Sequence, residues 1–128
     1  MFHASMSFDL GEDVNALRDM VHDWAQTRVK PMAARVDQSN AFPPELWTEM
    51  GELGLLGSTL EGYGCPGVDY ISYGLVAREI ERIDSGYRSM MSVQSSLVMY
   101  PIYAYGTEAQ REKYLPGLAA GEKIGCFG

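Results

Sequence analysis

The sequence predicts an all-α fold, a helical bundle. Apolar residues recur at helical spacing in several segments, prolines and glycines separate these segments, and residues 89–107 carry no charge. Only the last residues, 123–128, have the apolar pattern of a strand. We therefore expect about five or six helices around one core, followed by a short strand.

Length and charge narrow the classes of function. The chain has 128 residues and a formal net charge of −7, which suits one domain with a core. Nucleic acids and anionic membranes are bound through a basic face, so neither is an expected partner. Cys65 and Cys126 lie far apart in the sequence and are expected to be free thiols. His3 and His22 are too few and too separated for a metal site, so both are expected at the surface or at an interface.

The first predicted helix begins at a capping box, with Asp9 as the N-cap and Glu12 reaching back to it. The apolar face of this helix is formed by Val14, Leu17, Val21 and Trp24. Pro31 is expected to end or kink the helix, because proline removes a backbone donor. Residues 1–8 are expected to form a loose arm.

The second predicted helix begins at residues 42–45, because proline suits a first helical turn, and ends at Gly54 or Gly57. Residues 58–67 are expected to form a loop, and Asp69 is expected to be the N-cap of the third helix. The residues of this helix expected to face the core are Ile71, Leu75, Val76, Ile80 and Ile83. Those expected to remain in solvent are Arg78, Glu79 and Arg82.

The uncharged stretch predicts a fourth helix from about Tyr87 to Tyr103. Ser85 and Gly86 permit a sharp turn before it, Pro101 is expected to bend it, and Gly106 is expected to end it. The stretch is long enough to cross a membrane, but its hydroxyl and amide groups make it too polar. We therefore expect a buried core helix that presents Arg88 to a cavity.

A second capping box, Thr107 to Gln110, predicts a short helix to Tyr114, followed by a turn that opens at Pro116 and stops at Gly121.

The predicted final strand cannot satisfy its own ladder hydrogen bonds. We therefore expect residues 1–123 to form one helical domain and residues 124–128 to begin a further β-domain of a larger protein.

Residues 81–99 resemble the acyl-CoA dehydrogenases and, within that family, the glutaryl-CoA dehydrogenase branch. The resemblance extends from residues 62–67 through residues 106–116 to residues 124–128. The pattern that ends at Pro116 is common to the whole family. The segment Asp84-Ser-Gly-Tyr-Arg-Ser is specific to the glutaryl branch.

The first part of the chain is similar to another branch. Residues 1–50, and above all residues 1–11 and 40–47, look more like isovaleryl-CoA dehydrogenase, whereas residues 58–128 look like glutaryl-CoA dehydrogenase. The chain is therefore either a chimera joined near residues 51–60 or a natural relative of mixed character.

The resemblance implies the N-terminal helical domain of an FAD-dependent acyl-CoA dehydrogenase. In that family, later domains carry the catalytic glutamate and most of the FAD contacts, so we expect no catalytic residue in this chain. Phe127 and Gly128 correspond to the beginning of the flavin-facing segment. The implied activity is α,β-oxidation of an acyl-CoA thioester, with decarboxylation for glutaryl-CoA. The implied partners are electron-transferring flavoprotein and further copies of the chain. The 128 residues alone are expected to bind FAD weakly or not at all and to be inactive.

Arg88 is the residue that the resemblance assigns to the second carboxylate of a glutaryl substrate. Ser89 and Ser92 are the implied hydroxyl donors nearby, and Glu81 is implied to orient Arg88 or to tune decarboxylation. A buried carboxylate needs a paired cation, and arginine offers a two-pronged donor set. The residues alone leave an alternative open, in which Arg88 simply pairs with Asp84 or Glu81 at helix-like spacing.

A different class of function also fits the sequence, namely a helical interaction domain without catalysis. Apolar residues 124–127 and an apolar bundle face would then favour self-association. A third option is an acyl-CoA carrier or sensor without redox chemistry. The first residues have no basic region and no long apolar run, so no secretory or transit signal is predicted. This favours a bacterial cytoplasm, with the mitochondrial matrix as the alternative.

Overall fold

The computed structural model describes residues 9–128, and within them the predicted all-α bundle is confirmed. The helices follow one another in five continuous stretches. These are α1 (Glu12–Trp24) with a π-helical segment (Ala25–Val29) and α2 (Lys30–Ser39); α3 (Glu45–Glu52); α4 (Tyr70–Glu81); α5 (Ser85–Ser92) with a π-helical segment (Val93–Met99) and α6 (Tyr100–Tyr105); and α7 (Glu108–Ala119). The arm expected at residues 1–8, which includes His3, lies outside the described residues.

The first helical stretch continues through Pro31, where the sequence predicted an end or a kink. The wider π-helical turn directly precedes this proline, and Pro31 itself lies in the first turn of α2. A missing N–H costs least in a first turn, so the helix accommodates the proline.

The capping box predicted at Asp9 is not formed. Helix α1 begins at Glu12, directly after Gly11, whose φ is 92°. The Asp9 carboxylate instead accepts the Gly11 N–H at 3.0 Å and so shapes the turn before the helix.

Two glycines allow α3 to approach the end of α7 closely. A Cβ on Gly51 would collide with the carbonyl oxygen of Ala120, and a Cβ on Gly121 would collide with that of Trp47. The predicted helix end at Gly54 is confirmed, since Leu53 is the C-cap and Gly54 has a φ of 70°.

The strands differ from the prediction. A two-residue strand β1 (Glu61–Gly62) pairs antiparallel with β2 (Cys65–Pro66) inside the segment expected to be a loop. Tyr63 and Gly64 connect them with φ values of 55° and 85°, which suits a tight hairpin. The strand expected at residues 123–128 is not formed, because no other strand lies beside it within the described residues.

Helix α7 is longer than predicted. The capping box is confirmed, because Thr107 and Gln110 exchange side-chain and backbone hydrogen bonds at 2.8 and 3.3 Å. The helix then passes through Pro116 to Ala119. Because Pro116 has no N–H, the carbonyl of Glu112 loses its helical hydrogen bond. Both residues are exposed, so water can replace that bond.

Helix α4 has the predicted N-cap, since Asp69 accepts the Ser72 N–H at 2.7 Å. Val76 and Ile80 are buried as predicted. Ile71 was also predicted to face the core, but its side chain is 56% exposed. Glu79, which was expected in solvent, is buried.

The α5–α6 stretch begins at Asp84, whose carboxylate caps the Gly86 N–H at 2.6 Å, and ends at Gly106 as predicted. Ser85 and Gly86 therefore lie in a first helical turn, and the sharp turn predicted there was wrong. One face is buried and carries Met91, Gln94, Ser95 and Met99, while Ser89, Ser96, Leu97 and Tyr100 are exposed. The stretch is therefore half-buried. Among the described residues, every helix is too short or too polar to cross a bilayer.

Candidate functional site

Arg88 is paired with Glu81 across the junction between α4 and α5. Its Nε donates to Glu81 Oε2 at 2.6 Å, and its Nη1 donates to Ser92 Oγ at 3.2 Å. Of the two partners that the sequence left open, the structure therefore selects Glu81. Asp84 makes no ion pair with Arg88 among the described residues; its Oδ1 caps the Gly86 N–H.

Glu81 is held at both carboxylate oxygens. Ser85 Oγ donates to Oε1 at 2.6 Å while Arg88 occupies Oε2. The hydrogen bond from Ser85, followed by that from Arg88, lowers the pKa of the Glu81 carboxyl. Glu81 is therefore ionised at neutral pH. Sequence reasoning missed Ser85, although its position four residues after Glu81 was a visible signal.

The two predicted serines have different surroundings. Ser92 accepts from Arg88 and donates its own proton to the Ser89 carbonyl oxygen at 3.1 Å, so it orients the guanidinium. The Ser89 side chain is exposed and has no hydrogen bond among the described residues. The structure thus brings Arg88, Glu81 and Ser92 together, with Ser89 adjacent through its backbone.

The arrangement leaves the guanidinium available to a ligand. The Arg88 side chain is 36% exposed, and its Nη2 has no partner among the described residues. A carboxylate could bind there through charge-assisted hydrogen bonds. The Arg88–Glu81 pair is formally neutral, so it would hold such a carboxylate less firmly than an unpaired arginine.

Gln94 links the central helix to the end of the chain. Its fully buried amide donates to the Leu118 and Lys123 carbonyls at 3.0 and 2.8 Å and accepts the Gly125 N–H at 3.0 Å. From the sequence, Gln94 could be identified only as a polar residue of the uncharged stretch, because its hydrogen-bond partners are 24 to 31 residues away.

The residues predicted to face a flavin lie just beyond this anchor. Phe127 is 71% exposed, and nothing lies within 4 Å of a Cβ placed on Gly128. An exposed aromatic ring and open backbone fit contact with a planar cofactor. They make only a small part of the contacts that such a group needs.

Glu79 forms a second polar cluster, between α1 and α4. It accepts from His22 Nδ1 at 2.9 Å, from Arg78 Nε at 2.9 Å, and lies 3.5 Å from Arg82 Nε. Burial raises the pKa of the Glu79 carboxyl, but the hydrogen bonds from His22 and Arg78 outweigh it, so the net pKa is lowered. The expectation that Glu79 remains in solvent was wrong because these partners compensate its burial. His22 is partly exposed, as expected for a surface residue.

Comparison with known proteins assigns the family. The family model "Acyl-CoA dehydrogenase, N-terminal domain" matches residues 11–122. The chain belongs to the acyl-CoA dehydrogenase family.

A structure of glutaryl-CoA dehydrogenase from Mycobacterium smegmatis in complex with FADH2 is 48% identical, with a TM-score of 0.90. The match covers 93% of this chain and 31% of that one. The match to a glutaryl-CoA dehydrogenase structure thus covers most of the described residues.

Short-chain enzymes of the family are similar as well. "Acyl-CoA dehydrogenase, short-chain specific" from Clostridium acetobutylicum is 37% identical over 96% of this chain and 33% of that protein. The mitochondrial short-chain enzyme of Bos taurus is 36% identical over 94% of this chain and 30% of that protein. The chain therefore spans about a third of the length of the curated relatives it matches.

Proposed function

We propose that this chain forms the substrate-side helical wall of an FAD-dependent acyl-CoA dehydrogenase that oxidises a dicarboxylic acyl-CoA, glutaryl-CoA in particular. The observation that carries the proposal is Arg88, an accessible guanidinium held in place by Glu81 and Ser92. The 48% identity to a glutaryl-CoA dehydrogenase supports it. The family assignment alone would fit a monocarboxylic substrate equally well.

Each residue of the site has a role in this proposal. Bound FAD would supply the acceptor for hydride from the acyl chain. Arg88 would bind and orient the distal carboxylate of the substrate, with Ser89 close to it. Ser92 and Glu81 would hold the guanidinium. Because Glu81 is ionised, it would also moderate the attraction between Arg88 and the carboxylate. After oxidation the C–C bond to the carboxylate could then break to release CO2, its electron pair passing into the conjugated enoyl thioester, which afterwards takes up a proton at carbon.

The cofactor and partners belong to the same proposal. Phe127 and Gly128 would contact FAD at the edge of its site. A structure of the electron-transferring flavoprotein of Acidaminococcus fermentans contains a chain 34% identical to this one, with a TM-score of 0.84 over 93% of this chain. This supports electron-transferring flavoprotein as the electron acceptor. Further copies of the chain are the other partners that the proposal includes. Bacterial and mitochondrial relatives support a bacterial cytoplasm or a mitochondrial matrix.

The test is Arg88→Met in the full-length protein, with glutaryl-CoA and butyryl-CoA as paired substrates. Loss of a charge-assisted contact should lower kcat/KM for glutaryl-CoA about a hundredfold and leave the value for butyryl-CoA within about threefold. The measurement is steady-state reduction of an electron acceptor.

Arg35→Met is the matched control for this test. Arg35 is exposed in α2 and has no ion pair among the described residues, so its loss should change neither substrate. An equal loss for both substrates, or no loss for glutaryl-CoA, would contradict the assignment of Arg88.

A second candidate, self-association without catalysis, is favoured by one observation. Leu97, Tyr100, Ile124 and Phe127 are between 45% and 71% exposed, so an interface that covers them would remove apolar surface from water. If this candidate is right, purified full-length protein should dimerise in sedimentation velocity, Leu97→Ser should weaken the dimer, and no acyl-CoA should be oxidised.

A further inference from the structure

A cavity of about 530 Å³ lies where the end of α2, the segment before α3 and the beginning of α5 meet. Its volume is typical of a site for a small molecule. Arg88 does not line it, so it is separate from the site proposed above. Its walls combine aromatic rings, aliphatic side chains and two carboxylates.

Three aromatic rings form one side of the cavity. The centroid of Phe42 lies 5.7 Å from that of Tyr87 and 6.2 Å from that of Trp47. The ring pairs are tilted by 44° and 57°, so they present faces and edges to a common space. Phe42 is 36% exposed although both of its aromatic neighbours are at least partly buried. The faces of aromatic rings attract cations.

The charged side chains that line the cavity beside the rings are both acidic. Asp37 and Asp84 line the cavity, and no basic residue does so within the described part of the chain. Asp37 has no hydrogen bond or ion pair among these residues, and Asp84 uses only Oδ1, for the Gly86 N–H. A cavity with two such carboxylates attracts positive charge.

Tyr87 contributes its ring to the cavity. Its side chain is only 4% exposed, and its hydroxyl is buried without a hydrogen-bond partner in the described structure. A ligand in the cavity therefore meets the ring and not the hydroxyl. Burial, with the nearby charge of Asp84, raises the pKa of the Tyr87 hydroxyl, so Tyr87 remains neutral at pH 7.

We propose that this cavity binds a small organic cation, an ammonium group carried on an apolar body. The ammonium would lie between the carboxylates of Asp37 and Asp84, and the body would lie against Phe42, Trp47 and Tyr87. Other aromatic residues of the chain already have internal cations: Arg111 lies over Tyr103, and Lys113 and Lys123 lie near Tyr114. The described residues place no cation over the three rings of the cavity.

The experiment is calorimetric titration of the full chain with phenethylammonium at pH 7. Phenethylammonium should bind with a stoichiometry of one, and its neutral analogue 2-phenylethanol should bind about tenfold more weakly. Phenylacetate, the anionic analogue, should show no binding. The indole N–H resonance of Trp47, assigned with Trp47→Phe, should shift on addition of the cation.

Substitutions test the carboxylates separately from the fold. Asp37→Asn and Asp84→Asn should each weaken phenethylammonium binding about fivefold. Asparagine can still cap the Gly86 N–H, so α5 should remain intact and the Tm should change little. Glu112→Gln removes an exposed charge from α7, away from the cavity, and should leave binding unchanged.

The proposal is overturned if phenethylammonium does not bind, if 2-phenylethanol binds equally well, or if the Asp37→Asn/Asp84→Asn double variant binds like the unsubstituted chain.

Discussion

Glu79 shows how a charged residue becomes buried in this bundle. Its carboxylate lies between α1 and α4, while the side chains of His22, Arg78 and Arg82 remain 42% to 49% exposed. The buried partner of the cluster is therefore the acid, and His22 and the two arginines reach it from the surface. Hydrogen bonds from His22 and Arg78, with the nearby charge of Arg82, compensate the desolvation of the carboxylate.

Glu79→Gln should lower the free energy of unfolding by about 2 kcal/mol at pH 7, because glutamine retains some hydrogen bonds but loses the charge interaction. The folded pKa of Glu79 is lowered, so its stabilisation is present above the ordinary value of 4.5 and is lost as the pH falls through the folded value. Urea unfolding between pH 3 and pH 7 should therefore show a smaller loss of stability in acid for the variant than for the unsubstituted protein.

Asp13→Asn, an exposed change in the first turn of α1, is the control for this pH dependence. Parallel stability curves for Glu79→Gln and the unsubstituted chain would show that Glu79 does not contribute to the acid sensitivity.

The two cysteines should react at different rates. Burial raises the pKa of the Cys65 thiol to about 11, so little thiolate is present at neutral pH, and the side chain is partly shielded. Cys126 is exposed. With Ellman's reagent at pH 7.5, Cys126 should be modified first and Cys65 much more slowly. The fast phase should disappear in Cys126→Ser, and its persistence there would show that Cys65 is accessible.

At the scale of elements, two π-helical segments and one glutamine set the positions of the helices. The first segment lets α1 continue into α2 past Pro31, and the second precedes Pro101 at the start of α6. Gln94 lies in this second segment, and its amide reaches the end of α7 and the chain beyond it. The segment with Phe127 is therefore positioned by a side chain of the central helix.

Gln94→Met should destabilise the protein by about 2 kcal/mol, because it keeps the side-chain volume but leaves the Lys123 carbonyl and the Gly125 N–H without protein partners. The Leu118 carbonyl keeps its bond from the Gly121 N–H. Hydrogen exchange should become faster at the Gly125 N–H well before global unfolding. Gln38→Met changes an exposed glutamine of α2 and should cost less than about 0.5 kcal/mol. Unchanged exchange at Gly125 would mean that Gln94 does not anchor this segment.

At the scale of the whole molecule, Arg88 is accessible on α5, and Phe127 is exposed near the C-terminus. That the two belong to one wall of a substrate and cofactor site stays a proposal. The division into a helical domain at residues 1–123 and the start of a β-domain at residues 124–128 stays a prediction.

A polypeptide of these 128 residues should bind FAD weakly or not at all and should not reduce an electron acceptor with glutaryl-CoA, because most contacts for a flavin lie outside Phe127 and Gly128. The visible absorbance of purified material and an assay with glutaryl-CoA check this. A stable flavin spectrum with turnover would overturn it.

Local sequence patterns predicted the parts of the fold that depend on neighbouring residues. The caps at Asp69 and Thr107 and the turn at Gly54 follow from side chains and backbone preferences within a few positions. At Pro31 the regular α-helix is interrupted by a π-helical segment and then continues, while the kink stays a prediction. The helix end predicted before Pro116 was wrong, because solvent can satisfy the group that the proline leaves free. The predicted strand failed because a strand needs a neighbour.

The sequence by itself determined the helical class, the capped starts of α4 and α7, the family, and Arg88 as the cation at the start of the uncharged stretch. Only the tertiary structure decided that Arg88 pairs with Glu81, that Ser85 holds the same carboxylate, that Glu79 is buried, and that Gln94 anchors the chain end. The physical reason is distance along the chain. Caps and turns depend on atoms a few residues apart, whereas these contacts form only when packing of apolar faces brings separate helices together.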